Sequence, residues 1–275
     1  MQSFVWQSLK LINLGKTTKK WVSPTPFGCH PPYKSNNMGL LALAIAPGIF
    51  LSLFIYYKDR YNKEPLGLLL LTFVLGIFST IPALVVQIFL TKPVERIMGE
   101  GIAYTAVFSY LIVALSEEGS KFLVLRYYAY RRKAFDDPFD GIVYSMMVGM
   151  GFATLENIAY VLQHGYITGI TRMFLSVPAH ATFAVLMGYH VGLAKFDAAR
   201  RGRYLLLAIF WPVLFHGTFD FFLFLGKTWL HFLGAVVSFI VAVRLSLTLI
   251  RRKQKLSKDH LSGIDSISNH DHDIL

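Results

Sequence analysis

Four short stretches of this chain bring acids, histidines and small residues together in patterns that could do chemistry. The first is Ser116-Glu117-Glu118-Gly119-Ser120-Lys121. On a helix Glu117 and Lys121 are i,i+4 and Glu118 and Lys121 are i,i+3, so the lysine can neutralise either acid from one face. Adjacent helical residues point about 100° apart, so only one glutamate is expected to face a given cavity squarely. Two carboxylates this close in a poorly solvated place titrate as a coupled set, which suits a general base or acid near neutral pH. The plain alternative is an interhelical salt bridge, which needs one glutamate rather than two.

The second stretch, Gly151-Phe152-Ala153-Thr154-Leu155-Glu156-Asn157, carries an acid with no basic residue near it in sequence. Glu156 must be protonated, paired across helices or bound to a metal. The third, Pro178-Ala179-His180, sets an imidazole beside a proline expected to kink its helix. His190, ten residues on, lies about 80° off that face on a 3.6-residue helix and reads as a polar packing residue. In the fourth, His216-Gly217-Thr218-Phe219-Asp220, histidine and carboxylate share a face one turn apart. Asp220 can hold His216 in one tautomer, or both can ligate a cation.

The elements that must position these residues are helices in a membrane. Spanning the hydrocarbon core takes about 20 apolar residues, and seven windows meet or approach that length: 39–57, 66–91, 102–125, 142–162, 173–194, 204–225 and 228–250. Backbone groups in lipid must be satisfied internally, so the windows are helical. The chain is 54% apolar and only 16% charged, against about 25% charged for soluble domains. The expected fold is all-α: a polytopic transmembrane bundle of about seven helices over residues 38–252, with a polar cytoplasmic tail over 253–275. The four stretches fall on helices three to six, at depths where ionisable groups are costly and mark function. Asp140, in Asp136-Asp137-Pro138-Phe139-Asp140-Gly141, is placed as the cap of helix four, and Asp136 and Asp137 read as structural. Arg244, near the inner end of helix seven, is expected to snorkel.

The net charge of +11 reports topology rather than affinity for nucleic acid. The loops after helices one, three and five, with the tail, hold sixteen Lys and Arg, against four in the loops after helices two, four and six. The positive-inside rule then places the C-terminus in the cytoplasm and the start of helix one outside, in a multi-pass protein of the cell membrane. Residues 1–37, with five lysines and no acid, run against this. Three readings stand: an interfacial basic segment, an extension beyond the reach of the short-loop rule, or a start misassigned upstream of Met38. The last is preferred because Met38 directly precedes the first window. Cys29, the single cysteine, has no intrachain partner.

No H-E-x-x-H, G-x-S-x-G, P-loop or Cys/His zinc spacing occurs. Ser116 and Ser120, flanked by glutamates, fit poorly as nucleophiles. The blocks EEGSK, GFATLEN, PAHATF and HGTFD, in this order and with DPFDGIVY at the start of helix four, resemble the PrsW family of intramembrane proteases and, more distantly, the CAAX-prenyl-endopeptidase and bacteriocin-processing superfamily. The resemblance implies a membrane-embedded peptidase acting on a membrane-anchored protein, such as an anti-sigma factor. It makes Glu117, Glu118, Glu156, His180 and His216 the catalytic set, with Lys121, Asn157 and Asp220 in support.

Two mechanisms stay open. In one, Glu117 or Glu118 activates a water, His180 or His216 orients it or acts as acid, and Asn157 donates to the oxyanion. In the other, His180, His216 and Glu156 or Asp220 bind zinc. The metal-free version is preferred, since no i,i+4 histidine pair fixes a site locally. The rivals from other classes are a proton-coupled transporter, against which no inverted repeat is found, and a non-catalytic membrane scaffold.

Overall fold

The computed structural model describes residues 37–59, 62–226 and 228–272. The expectation about residues 1–37 therefore lies outside the described residues, save for Asn37. Every regular element among the described residues is helical: α1 Asn37–Lys58, α2 Leu66–Phe78, α3 Thr80–Met98, α4 Ile102–Val107, a π-helical turn Phe108–Ala114, α5 Leu115–Tyr127, a 3-10 turn Ala129–Arg131, α6 Asp140–Phe174, α7 Ser176–Phe196, α8 Arg201–Leu225 and α9 Trp229–His272.

All seven apolar windows are helical, but among the described residues five stretches are long and apolar enough to cross a membrane: Met38–Lys58, Leu66–Met98, Asp140–Phe196, Arg201–Leu225 and Trp229–Lys255. Two physical facts separate five from seven. Windows four and five form one run, folded back at Gly165, whose φ of 76° lies in the left-handed region that glycine adopts without a Cβ clash. Window three is cut by the π turn and carries Glu117, Glu118 and Lys121. The break between α2 and α3 follows from Pro82, whose ring excludes the carbonyl four residues earlier. Ser79 Oγ caps the disturbed ladder by donating to the Gly76 carbonyl at 2.7 Å.

The first half of α6 is buried nearly all round, and its apolar residues point in every direction, as a central helix requires. Small residues let its neighbours approach. A Cβ on Gly151 would lie 2.0 Å from the Phe73 carbonyl of α2, and one on Gly141 would lie 2.4 Å from the Gly188 carbonyl of α7. Such backbone-to-backbone contact is how helices associate where burial of apolar surface gives no net drive.

Asp140 is not the cap of α6. It is the first helical residue, and its Oδ2 accepts the backbone N–H groups of Asp136 (2.9 Å) and Asp137 (2.7 Å), closing the turn before the helix. Asp136 and Asp137 are structural as expected: Asp136 takes Asn62 Nδ2 at 2.7 Å, and Asp137 takes the Phe139 N–H at 2.7 Å. This turn meets the α1–α2 loop, where Tyr144 donates to Glu64 and Asp59 accepts the Glu64 N–H. Burial raises Glu64 to about 7 and Asp59 to about 6. The tail expected from residue 253 begins inside α9, with Lys253 buried and Gln254 Nε2 donating to the Lys58 carbonyl at 2.6 Å.

Pro178 does not kink its helix. It falls in the first turn of α7, where a missing N–H leaves no orphaned carbonyl. Pro212 does lie inside α8. His190 is a packing residue, its Nδ1 2.8 Å from the Leu186 carbonyl, and Arg244 is exposed.

Candidate active site

Helices α5, α6, α7 and α8 deliver one side-chain cluster each to a common point. His216 of α8 stands between the two glutamates of α5. Its Nδ1 is 2.8 Å from Glu118 Oε1, while its Nε2 faces Asp220 Oδ2 at 3.4 Å and Glu117 Oε2 at 4.0 Å. The expectation that only one glutamate faces a given cavity squarely holds, since Glu117 lines the cavity of the site and Glu118 does not. Both are buried, and they address opposite nitrogens of one ring. Lys121 Nζ pairs with Glu118 Oε1 at 2.7 Å and is 3.9 Å from Glu117 Oε2, so it neutralises chiefly Glu118. The same ammonium lies 3.2 Å from His180 Nδ1 and 4.1 Å from the centre of the Phe152 ring.

His180 Nε2 meets Glu156 Oε2 at 2.9 Å, and its ring centre is 5.2 Å from that of His216. An ammonium only donates, so Nδ1 of His180 accepts and Nε2 carries the proton given to Glu156. Glu156 is paired across helical arms: Arg172 Nη2 reaches its Oε2 at 2.8 Å. Sequence reading assigned Arg172 to a loop; the fold-back at Gly165 returns it to the depth of the site, 3% exposed. Its only sequence signal was a position eight residues before His180. Gln87, also missed, stood as a lone amide within an apolar window. Its Nε2 donates to Glu117 Oε1 at 3.2 Å and to Ser116 Oγ at 3.3 Å.

One expected role is reopened, that of Asn157, while the serines stay as expected. Asn157 is fully buried, donates to the Ala44 carbonyl at 2.9 Å and accepts Arg172 Nε at 3.0 Å. Both ends of its amide are thus engaged, and Asn157 is not among the residues that line the cavity of the site. Ser116 and Ser120 give their hydroxyl protons to backbone carbonyls of their own helix, at 2.5 and 2.9 Å.

A cavity of about 50 Å³ opens among Glu117, Glu156, His180, His216, Asp220 and Arg172, walled by Phe183 and Phe219; a few waters fit such a volume. Glu118 and Lys121 stand behind it. Glu117 Oε2 is buried without a hydrogen-bond partner. Donor atoms of Glu117, His180 and His216 lie within 4.8 Å of one another. Two imidazoles and a carboxylate are an ordinary catalytic zinc set, and Glu118 at His216 Nδ1 is the carboxylate that commonly orients a ligating histidine. The three residues supply those ligand types, through Glu117 rather than the expected Glu156 or Asp220, and His180 would ligate by giving up its contact with either Lys121 or Glu156. Glu156 is tied to Arg172, and Asp220 flanks His216.

The profile of the PrsW family intramembrane metalloproteases matches residues 64–246. The chain belongs to the PrsW family. It is 39% identical over 196 residues to Protease PrsW of Geobacillus kaustophilus (strain HTA426), covering 71% of this chain and 84% of that protein. Against Protease PrsW of Bacillus subtilis (strain 168) it is 36% identical, covering 73% and 90%, and against that of Clostridioides difficile (strain 630) 34%, covering 82% and 96%. No solved structure matches the chain. As a PrsW-family member the chain is an intramembrane protease, and the transporter and scaffold readings fall away.

Proposed function

We propose that this PrsW-family protease hydrolyses its substrate at Glu117, with Glu118 and Lys121 as the fixed frame behind it. The observation that carries this assignment is the contrast between the two acids. Oε2 of each acid lacks a hydrogen-bond partner, but Glu118, whose Oε1 is shared by Lys121 and His216, stands outside the cavity lining, whereas Glu117 lines the cavity. A carboxylate oxygen free beside a water-sized space is placed to take a proton from water as it attacks a peptide carbonyl. His216, held through Nδ1 by Glu118, presents Nε2 between Glu117 and Asp220, where it can return the proton to the departing amine. In the alternative, metal-bound arrangement Glu117, His180 and His216 would instead hold a zinc-type ion, which would supply a water of lowered pKa and a Lewis acid in place of the proton-transfer roles of Glu117 and His216.

In this reading residues 38–252 form the peptidase domain, crossing the cell membrane about seven times with the C-terminus in the cytoplasm and residues 253–275 as its tail. Glu156 lies nine residues from Gly165, and His216 nine from the end of α8 at Leu225. At 1.5 Å per residue each is about 13 Å from that end of the bundle. Glu156 is sixteen residues from Asp140 and His216 fifteen from Arg201, or about 22–24 Å. With Gly165 outward, the scissile bond sits in the outer half of the bilayer. The substrate is a membrane-anchored protein, such as an anti-sigma factor, that unwinds there.

The test is cleavage of a tagged single-pass substrate by purified enzyme and by Glu117→Gln, His180→Ala and His216→Ala, with zinc content measured in parallel. Loss of product in all three supports the assignment. Wild-type cleavage by Glu117→Gln overturns it, and full activity in strong chelator with no bound metal removes the zinc role.

A further inference from the structure

Glu156 touches His180 through Oε2, and that same oxygen receives the guanidinium of Arg172. Arg172 is held on three sides: Nη2 on Glu156, Nε on Asn157 Oδ1 at 3.0 Å, and its centre 4.0 Å over the Tyr160 ring. Asn157 is anchored in turn to the Ala44 carbonyl of α1. The guanidinium thus ties the returning arm of α6 to the outgoing arm and to α1, at the level of the site. A guanidinium is costly at membrane depth, and close packing alone could join two helical arms. What sets this one apart is that it sits on the oxygen His180 uses.

We propose that Arg172 is a positioning residue of the active site: it fixes Glu156 Oε2 as the partner of His180 and thereby holds the His180 ring against His216 and Glu117. Two planar donors in a rigid fork engage Glu156 and Asn157 together, which a point charge cannot do. The next cation acting on Glu156 is Lys121, on the far side of the His180 ring. Without Arg172, Glu156 and Lys121 attract each other across that ring and draw it out of line. Arg172 acts through Glu156 and His180 and makes no demand on the substrate.

The inference rests on the active site assigned above, so its test is read only where wild type cleaves and Glu117→Gln does not. If Glu117→Gln cleaves normally, the site assignment fails first. Arg172→Lys and Arg172→Gln are purified in lipid nanodiscs, and kcat and KM are measured for a tagged single-pass substrate beside the melting temperature. Arg172→Lys keeps the buried charge, so it reports even where Arg172→Gln does not accumulate. The expected result for folded Arg172→Lys is a kcat lowered about 10- to 100-fold, the size of effect a 1 Å misplacement gives, with KM within about threefold. A melting temperature that falls while kcat stays within threefold of wild type would mean a purely structural tie and overturns the proposal. A raised KM with unchanged kcat overturns it as well, because Arg172 would then bind substrate.

Discussion

Replacing Glu117 and Glu118 by glutamine, one at a time, should separate stability from catalysis in two neighbouring residues. Glu118 is completely buried, and its Oε1 serves both Lys121 at 2.7 Å and His216 at 2.8 Å. In Glu118→Gln, Lys121 keeps only Glu117, 3.9 Å away, as its opposite charge on α5. Stranding one member of a buried pair costs about 3–5 kcal/mol, which lowers the melting temperature of a domain this size by on the order of 10 °C. Glu117→Gln differs. The new amide oxygen can still accept Gln87, and the oxygen that is lost had no hydrogen-bond partner, only the longer ion pair with Lys121 at 3.9 Å. Its melting temperature should fall by less than that of Glu118→Gln, since the charge it removes sits 3.9 Å from Lys121 where that of Glu118 sits at 2.7 Å. Its cleavage rate should nonetheless fall about 10²- to 10⁴-fold, the usual contribution of a general base. That fall corresponds to about 3–5.5 kcal/mol in the barrier. Thermal unfolding in nanodiscs and single-turnover cleavage of a tagged substrate give both numbers on one preparation. The reasoning is refuted if Glu117→Gln retains more than a tenth of wild-type activity, or if the two variants lose the same stability.

Three further outcomes follow from the geometry. Gln87→Met keeps the volume but frees Glu117 Oε1, so kcat should drop about tenfold while the melting temperature holds; an unchanged kcat would show that Gln87 only packs. Gly151→Ala forces a Cβ to 2.0 Å from the Phe73 carbonyl, so α2 must move off α6, and a loss of about 1–3 kcal/mol is expected, read as a lower melting temperature. Glu64, raised from 4.5 to about 7 by burial, binds its proton more tightly folded than unfolded. Its contribution to stability is complete below pH 4.5 and is lost as pH rises through about 7. Glu64→Gln should therefore flatten the fall in melting temperature between pH 5 and 8, and an identical pH slope in both proteins would contradict that assignment.

Much of the architecture was legible because lipid leaves the backbone few choices. Each apolar window became helix, and the four polar blocks converged, since a charge held at bilayer depth needs company. The number of crossings was less legible. Periodicity and hydropathy treat 142–162 and 173–194 as two windows around a loop, whereas a positive φ at Gly165 folds one helical run onto itself. That single turn carried Arg172 from an expected loop to the centre of the site, and it answered how Glu156 is neutralised. Asn157 illustrates the converse: its residue type permitted an oxyanion donor, but only its contacts with Ala44 and Arg172 show that both ends of the amide are engaged.

The sequence by itself determined the class of protein and the helices that carry the four polar blocks, because hydrophobic length and buried charge are local properties of the chain. Tertiary structure alone decided which oxygen meets which nitrogen. Glu117 and Glu118 are adjacent and chemically identical, yet Lys121 and His216 hold Glu118 at hydrogen-bond distance and approach Glu117 only to 3.9–4.0 Å, and Glu117 alone of the two lines the cavity. The decisive part of that difference is the placing of His216 of α8, 2.8 Å from Glu118 and 4.0 Å from Glu117, and strength at this range depends on interhelical separations that no residue spacing within one helix encodes.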